Sequence, residues 1–450
     1  MKKLVCLLLV VAMILSLAAC AGDNNATTDT TDTTTDTTDT TTDTTNTTTE
    51  PSGDSDDTAS SGDTIKIGVC ANYSSIAISF FAPGLYYAIN EINAAGGIDG
   101  KQVEWVYRDT QGDASNLTQK LNELKDEGVV AIVGPDSDAM APAAAKWAEA
   151  NQIVLVSPST MSTTVALEAH SDYFFTAGLN AWAIINAINS DISDKNYENY
   201  VVIGTDGGSS DDFIKLSAQT FDAEQSKTVQ VTTGTTDLSS VVMSLMGDDP
   251  DFSISSISAT TWTSFFAQAS QLGMYDEIIN YGWEFIDSLY TGIGEDYPAG
   301  HFRGVLGWPH CIQDTEEQQA MTAAFLQIAE DEFDMTASPG AQMMMWYIAG
   351  QSIIEALKIA GADCTTDALI DALENIDFAT PWADSISYRA MDHALVMPYT
   401  FATAVWDDQE AGTVKLEDVI VMDANELLPS YEDYQSYAET YGLPFDWVKE

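Results

Sequence analysis

The stretch TIKIGVCANYSSIAISFFAPGLYYAINEINAAGGIDGKQVEWVYRD, Thr64 to Asp109, holds one complete repeat of an alternating fold. Ile65 to Ala71 is a continuous apolar run of strand length. Pro83 to Ala95 carries an apolar face at helical spacing, and Val103 to Tyr107 is a second strand. Between helix and strand, Gly96 and Gly97 stop the helix through a left-handed turn and Gly100 tightens entry to the strand, because glycine takes positive φ without a steric penalty. Strand, helix and strand in this order make a βαβ unit, whose strands are apolar because a parallel sheet is covered on both faces.

The pattern continues outward from this unit. Asn116 to Lys125 predicts a helix with Leu117, Leu121 and Leu124 on one stripe, Val129 to Val133 a strand, Ala141 to Ala150 a helix and Ile153 to Val156 a strand. It then restarts. Strands at Tyr200–Ile203, Thr228–Val231, Phe252–Ser258 and Ile278–Tyr281 alternate with helices at Phe213–Phe221, Leu238–Met246 and Ser264–Leu272. Helix-rich stretches at Glu316–Asp331 and Ala341–Ala360 follow, and a β-rich piece runs from Ile386 to Met422. The fold class is α/β with two lobes, each a parallel-sheet βα sandwich, and the chain passes between them more than once.

The chain has 450 residues, 45% of them hydrophobic, with 69 Asp and Glu against 16 Lys and Arg, a formal net charge of −53. That charge excludes a nucleic-acid surface, which needs clustered cations to displace phosphate counterions, and electrostatic docking on anionic lipid. The apolar content is far above that of a disordered acidic chain, so the acid decorates a folded core. Eleven of the acids fall in residues 23–63, and Thr64 to Glu450 keeps 58 acids and 14 bases, so most of the acidity belongs to the lobes.

The first residues read as an export signal. Lys2 and Lys3 precede the apolar run Leu4–Leu17, which is short for a membrane span of about 20 residues. The run ends in Leu17-Ala18-Ala19-Cys20, which resembles a bacterial lipobox. On this reading residues 1–19 are a lipoprotein signal peptide, and Cys20 is the lipidated N-terminus, anchored to the cell membrane on its extracytoplasmic side by acyl chains whose buried methylenes contribute about 0.8 kcal/mol each. Asp23 to Asp63 is built on Thr-Thr-Asp with no Lys, Arg or aromatic residue. It buries too little apolar surface to offset ordering entropy and is expected to be a disordered tether, roughly 35 Å long as a coil. Cys70, Cys311 and Cys364 show no metal-ligand spacing, and three buried free thiols are expected, with one disulfide as the alternative.

Ligands of open α/β sheets bind beyond the carboxyl ends of the strands. Four loops there stand out: Gly134-Pro135-Asp136-Ser137-Asp138, Ser157-Pro158-Ser159-Thr160, Ala177-Gly178-Leu179-Asn180 and Gly282-Trp283-Glu284. None contains Lys or Arg. Catalytic patterns are missing: His170, His301, His310 and His393 form no HExxH, no Gly-x-Ser-x-Gly elbow is present, and Gly204-Thr205-Asp206-Gly207-Gly208 lacks the lysine of a phosphate loop. The chain is therefore read as not an enzyme, and no cofactor or metal is expected.

The run Ala88 to Gly100, then Arg108-Asp109, Val133-Gly134-Pro135 with Ser137, and Val156-Ser157-Pro158-Ser159, resembles the branched-chain amino-acid (Leu/Ile/Val-type) substrate-binding proteins of ABC transporters, of the type I periplasmic-binding-protein class. The resemblance runs in order over nearly all of residues 64–410. It implies a lipoprotein whose lobes, about 64–177 with 305–377 and about 178–304 with 386–421, close by a multi-strand hinge on a small molecule and deliver it to a membrane permease, with 422–450 as a C-terminal tail. The resemblance also places residues. Ser137 with the helix-start N–H groups takes the ligand carboxylate, Ser159 and Thr160 add contacts, Asn180 faces the cleft, and Glu284 takes the ammonium group. Trp262, Trp283 and Tyr73 wall the pocket. Plainer readings stand beside these: Ser137 as a helix cap, Ser159 and Thr160 as turn residues, Glu284 as a solvated acid near a strand end, the aromatics as packing. Asp392 and His393, near Arg389, read as structural. Asp136 and Asp138 bring negative charge to the site and weaken it for a carboxylate, so an anion is disfavoured, an amino acid remains the expected solute, and a neutral or cationic small molecule is the alternative. Two other functions share this sequence: a ligand-sensing receptor domain that transports nothing, and a surface interaction protein.

Overall fold

The computed structural model describes residues 64–73, 78–257, 259–283, 293–294, 297–335, 340–409, 413–445 and 447. Cys20, the signal and tether, and Glu284 lie outside the described residues.

The opening βαβ unit folds as its sequence requires. Strand β1 (Thr64–Ala71), helix α1 (Ile78–Ala94) and strand β2 (Gln102–Asp109) follow in order, and β1 pairs parallel with β2 from Thr64↔Gln102 to Ala71↔Asp109. Gly96, Gly97 and Gly100 hold φ of 101°, 78° and 81°. At Gly97 a Cβ would lie 1.9 Å from the Lys101 carbonyl oxygen, so this turn admits no side chain. Helix α2 (Ala114–Asp126), β3 (Ala131–Val133), α3 (Ala141–Asn151), β4 (Val154–Ser157), α4 (Thr163–Glu168) and β5 (Phe174–Thr176) complete a five-stranded, fully parallel sheet of order β2-β1-β3-β4-β5. Alternation along β1 divides the core. Ile65, Ile67, Val69 and Ala71 face one buried layer, and Cys70 faces another with Leu117, Leu121 and Leu124 of α2.

The second sheet has seven strands in the order β15-β14-β10-β9-β8-β6-β7. Helix α5 (Ala181–Ile192) enters it. Strands β6 (Asn199–Thr205), β7 (Glu224–Val231), β8 (Phe252–Ser256), β9 (Ile279–Trp283) and β10 (Phe302–Leu306) are parallel, interleaved with α6 (Ser209–Thr220), α7 (Ser239–Met246) and α8 (Ala259–Gln271). Strands β14 (Tyr399–Asp408) and β15 (Thr413–Met422) add an antiparallel hairpin against β10, so this lobe has a parallel core with an antiparallel edge. Two apolar layers again cover the sheet, one holding Tyr200, Val202 and Tyr281, the other Val201, Ile203 and Phe302.

Between the sheets, α9 (Glu316–Phe333), α10 (Ala341–Ala360) and α11 (Thr366–Leu373) return to the first lobe, whose core takes in Met343, Trp346, Leu369 and Leu373. The small antiparallel set β11 (Phe378–Thr380), β12 (Ala383–Tyr388) and β13 (Leu395–Val396) follows, with Ile386, Tyr388 and Leu395 in that same core. The chain thus crosses between sheets after β5, after β10 and between β13 and β14. Two helices end it, α12 (Ala424–Leu427) and α13 (Tyr431–Tyr441). Cys70, Cys311 and Cys364 are free thiols as expected, but only Cys70, on a central strand, is buried; Cys311 and Cys364 lie in loops and are half-buried.

Candidate ligand site between the lobes

In a parallel sheet the loops that follow each strand gather along one edge. The loops after β3 and β4, with Asn72 and Tyr73 after β1, gather on the smaller sheet, and the loop after β6 and the end of β9 on the larger. The two edges meet at Asp138. It sits in the loop after β3, accepts hydrogen bonds from the Met161 and Ser162 N–H groups through Oδ1 at 2.8 and 3.1 Å, and takes a further one from the Ser209 side chain at the start of α6. Gly208, the N-cap of α6 with φ of 58°, lies so close that a Cβ there would be 3.3 Å from the Asp138 Cβ. The carboxylate therefore stands at the positive end of a helix of the other lobe. Burial raises its pKa. The three hydrogen bonds pull the value back, and the charge of Asp212 pushes it up again.

Asp212 makes the reciprocal contact. It lies in the first turn of α6, is 3% exposed, and receives Ser162 Oγ at 2.7 Å, Thr163 N at 2.8 Å and Thr163 Oγ1 at 2.6 Å from the start of α4, with Tyr437 Oη at 3.0 Å. Desolvation raises its pKa against the hydrogen bonds from Thr163, Ser162 and Tyr437. Neither acid's cross-lobe role was legible in the sequence, where Asp138 stood out only as a charge beside Ser137 and Asp212 did not stand out at all.

The residues expected to meet a ligand divide in two. Ser137 is half-buried, and its Oγ accepts the Ala139 N–H at 3.3 Å, a local turn contact; helix α3 starts only at Ala141, with Met140 as its N-cap. Ser159 Oγ donates to Gln342 Oε1 of α10 at 3.1 Å. Tyr73 is half-buried at the end of β1, its N–H held by Asp109 Oδ1 at 2.8 Å and its ring edge-on to Tyr107 at 4.5 Å. Trp283 ends β9 and packs on the larger core. The other three are committed to the fold. Thr160 is 2% exposed, with its hydroxyl 2.6 Å from that of Ser157. Asn180 caps α5, its Oδ1 accepting the Trp182 and Ala183 N–H groups at 2.9 and 3.3 Å. Trp262 is 5% exposed, its ring tilted against that of Phe266 with centroids 4.5 Å apart, in the layer of the larger lobe that holds Phe302. Asp136 accepts the Asn72 N–H at 3.2 Å, and burial raises its pKa. Asp392 and His393 are structural: Asp392 pairs with Arg389 and accepts the Ala394 N–H at 3.1 Å, and the His393 ring lies 3.9 Å from that of Phe175, parallel to within 2°.

Two sheets meeting at their carboxyl edges, with three chain crossings, define the architecture, and the family model for periplasmic binding proteins matches residues 64–411. The chain belongs to the periplasmic binding protein family. Among curated relatives of this binding protein, the chemotactic signal transduction substrate-binding protein BasB of Halobacterium salinarum is 37% identical over 86 residues, 19% of this chain. The leucine-, isoleucine-, valine-, threonine- and alanine-binding protein of Pseudomonas aeruginosa is 28% identical over 125 residues, 26% of this chain. These alignments span 21% and 32% of the relatives' own length. Solved structures match over more of the chain. LivJ of Streptococcus pneumoniae in complex with isoleucine aligns with TM-score 0.66 and 22% identity over 80% of this chain and 99% of its own. A Rhodopseudomonas palustris solute-binding protein in complex with benzoate aligns with TM-score 0.68 and 16% identity over 82% and 99%. At such identities the likeness establishes the two-lobed fold that this periplasmic binding protein shares with them.

Proposed function

We propose that this protein captures an amino acid between its two lobes and hands it to an ABC permease, held at the outer face of a bacterial membrane by a lipidated Cys20 and the Thr-rich tether. The observation that carries the reading is the meeting of the two carboxyl edges at Asp138 and the start of α6. Loops of that edge are where open α/β sheets take their ligands. In this reading Ser137 and the N–H groups leading into α3 take the carboxylate, and Glu284 takes the ammonium group. Tyr73, Ser159 and Trp283 shape the walls. Thr160, Asn180 and Trp262 act behind them, by fixing the loops and the wall from inside the fold. Charge selects the class. The loops 134–140, 157–162, 206–208 and 283–292 contain no Lys or Arg and several acids, so a ligand offering only a carboxylate finds no cation, whereas a zwitterion finds an acid for its ammonium group.

Closure would follow from binding energy that favours the closed arrangement. A sensing role without transport is the second reading, favoured by the likeness to BasB, whose name assigns it to chemotactic signal transduction. Titration calorimetry of the full chain against the twenty amino acids, with benzoate alongside, tests the proposal. Heat with at least one amino acid is expected, and Glu284→Gln is expected to weaken it more than tenfold, since a charge-assisted hydrogen bond contributes about 1.5–3 kcal/mol. Absence of both heat and thermal stabilisation with every amino acid overturns the amino-acid assignment.

A further inference from the structure

The family match stops at residue 411, yet the chain continues through β15 into two more helices. Helix α13 is fixed at its start by a capping box, in which Ser430 and Asp433 satisfy each other's N–H groups. Tyr434, Tyr437 and Tyr441 follow at intervals of three and four, which puts them on one helical face. That face lies on α5, with the Trp182 ring 5.6 Å from that of Tyr434 and 5.3 Å from that of Tyr437.

The three hydroxyls reach different parts of the molecule. Tyr434 Oη donates to Asp392 Oδ2 at 3.0 Å. Asp392 belongs to the loop between β12 and β13, which is docked on the smaller lobe: Thr176 N of β5 donates to the His393 carbonyl at 3.0 Å, and His393 Nε2 lies 2.9 Å from Glu374 Oε1 beyond α11. Tyr437 Oη instead donates to Asp212 on α6 of the larger lobe, the same carboxylate that receives Ser162 and Thr163. Tyr441 Oη donates to the Lys215 carbonyl of α6 at 3.0 Å. The segments on either side extend the span. Arg389 Nη1 donates to the Pro429 carbonyl at 2.7 Å, Asn186 Nδ2 to the Leu427 carbonyl at 2.8 Å, and the Trp447 ring lies 4.7 Å from His170, which follows α4.

We propose that residues 423–445, with Trp447, are a strap across the hinge, which ties the β12–β13 loop of the smaller lobe to α5 and α6 of the larger and so sets how readily the two lobes move apart. The strap rests on the two-lobed fold and on the hydrogen bonds of the C-terminal helix, so it stands or falls apart from the identity of any ligand.

Hydrogen–deuterium exchange of the full chain without ligand tests it, comparing the parent with Tyr434→Phe/Tyr437→Phe. Each lost hydrogen bond shifts an equilibrium by roughly two- to tenfold. The expected result is about tenfold faster exchange at the crossings 177–180 and 396–400 and at Ser162–Thr163, with β1, β3 and β8 unchanged. Acceleration confined to α13 and α5 would mean that the helix only stabilises the larger lobe, and overturns the proposal. Unchanged exchange at the crossings overturns it as well. If the double variant fails to fold, Tyr434→Phe alone removes only the contact to the smaller lobe's loop. About fivefold faster exchange at 177–180 and 396–400 then supports the strap, and parental exchange there refutes it.

Discussion

Replacing Asp212 with alanine is the sharpest test of how the lobes are joined. The side chain occupies the meeting point of α6, the start of α4 and α13, and its two oxygens receive four donors at 2.6–3.0 Å. Alanine leaves those donors buried, and an orphaned buried donor costs about 1–3 kcal/mol. The full sum is not expected, because hydroxyls rotate to other acceptors and the loss of the carboxylate removes its own desolvation penalty. The net loss should resemble that of breaking a buried charged network, about 3–5 kcal/mol. With roughly 2 °C per kcal/mol for a domain of this size, the melting temperature should fall by about 6–10 °C. Scanning calorimetry reads the shift, and Asp212→Asn, which keeps one acceptor oxygen, should lose about half as much. A loss below about 1 kcal/mol for the alanine variant would refute the reasoning, since it would mean that the four contacts carry no net weight.

Three further outcomes follow from other groups. Arg303 reaches from β10 to Asp191 Oδ1 through Nε at 2.9 Å and Nη2 at 2.8 Å, with both side chains under a tenth exposed; Asp191 Oδ2 keeps Lys195 at 3.3 Å and Tyr281 Oη at 3.0 Å, so Arg303→Met should cost about 1–3 kcal/mol, and adding Asp191→Leu should restore part of it, as urea titration of both variants would show. Because burial raises the Asp138 pKa in the folded state, its stabilising contribution is complete below the unfolded carboxylate value and is lost as pH rises through the folded one. The stability of the parent relative to Asp138→Asn should therefore decline as pH increases from about 4, and a difference that stays flat up to neutral pH contradicts the placement of Asp138. Cys70 is buried in the smaller core, and desolvation followed by the charge of Asp136 pushes its thiol up to about 12; iodoacetamide at neutral pH should modify Cys311 and Cys364 but leave Cys70 intact in peptide maps, and prompt labelling of Cys70 would refute its burial.

What was legible in the sequence followed from local signals. The apolar run of β1, the stripe Leu117, Leu121 and Leu124, and the glycines at 96, 97 and 100 each fix a local conformation, and the structure has them where their spacing puts them. Strand β5 was missed because three residues, Phe174–Thr176, give no period to read. Strand β10 was missed because Arg303 interrupts its apolar run, and the partner that makes burial of that charge tolerable, Asp191, is 112 residues away. Helix α13 was read only as a tail, since its sequence is polar and tyrosine-rich and its amphipathic sense depends on where the tyrosine hydroxyls end, at Asp392 and Asp212. Among the site residues, Trp262 illustrates the limit. An aromatic at a strand-to-helix turn has the same sequence signature whether it walls a cleft or, as here, fills a core.

Capture of a solute between the carboxyl edges of the two sheets is tested most directly by a ligand footprint. Hydrogen–deuterium exchange of the full chain would be followed with and without the amino acid that gives the largest calorimetric heat. The expected result is slowed exchange in the loops 134–138, 157–160 and 206–209 and at the end of β9, from both lobes at once. Protection of one lobe alone, or of a surface away from these four loops, would contradict capture between the lobes.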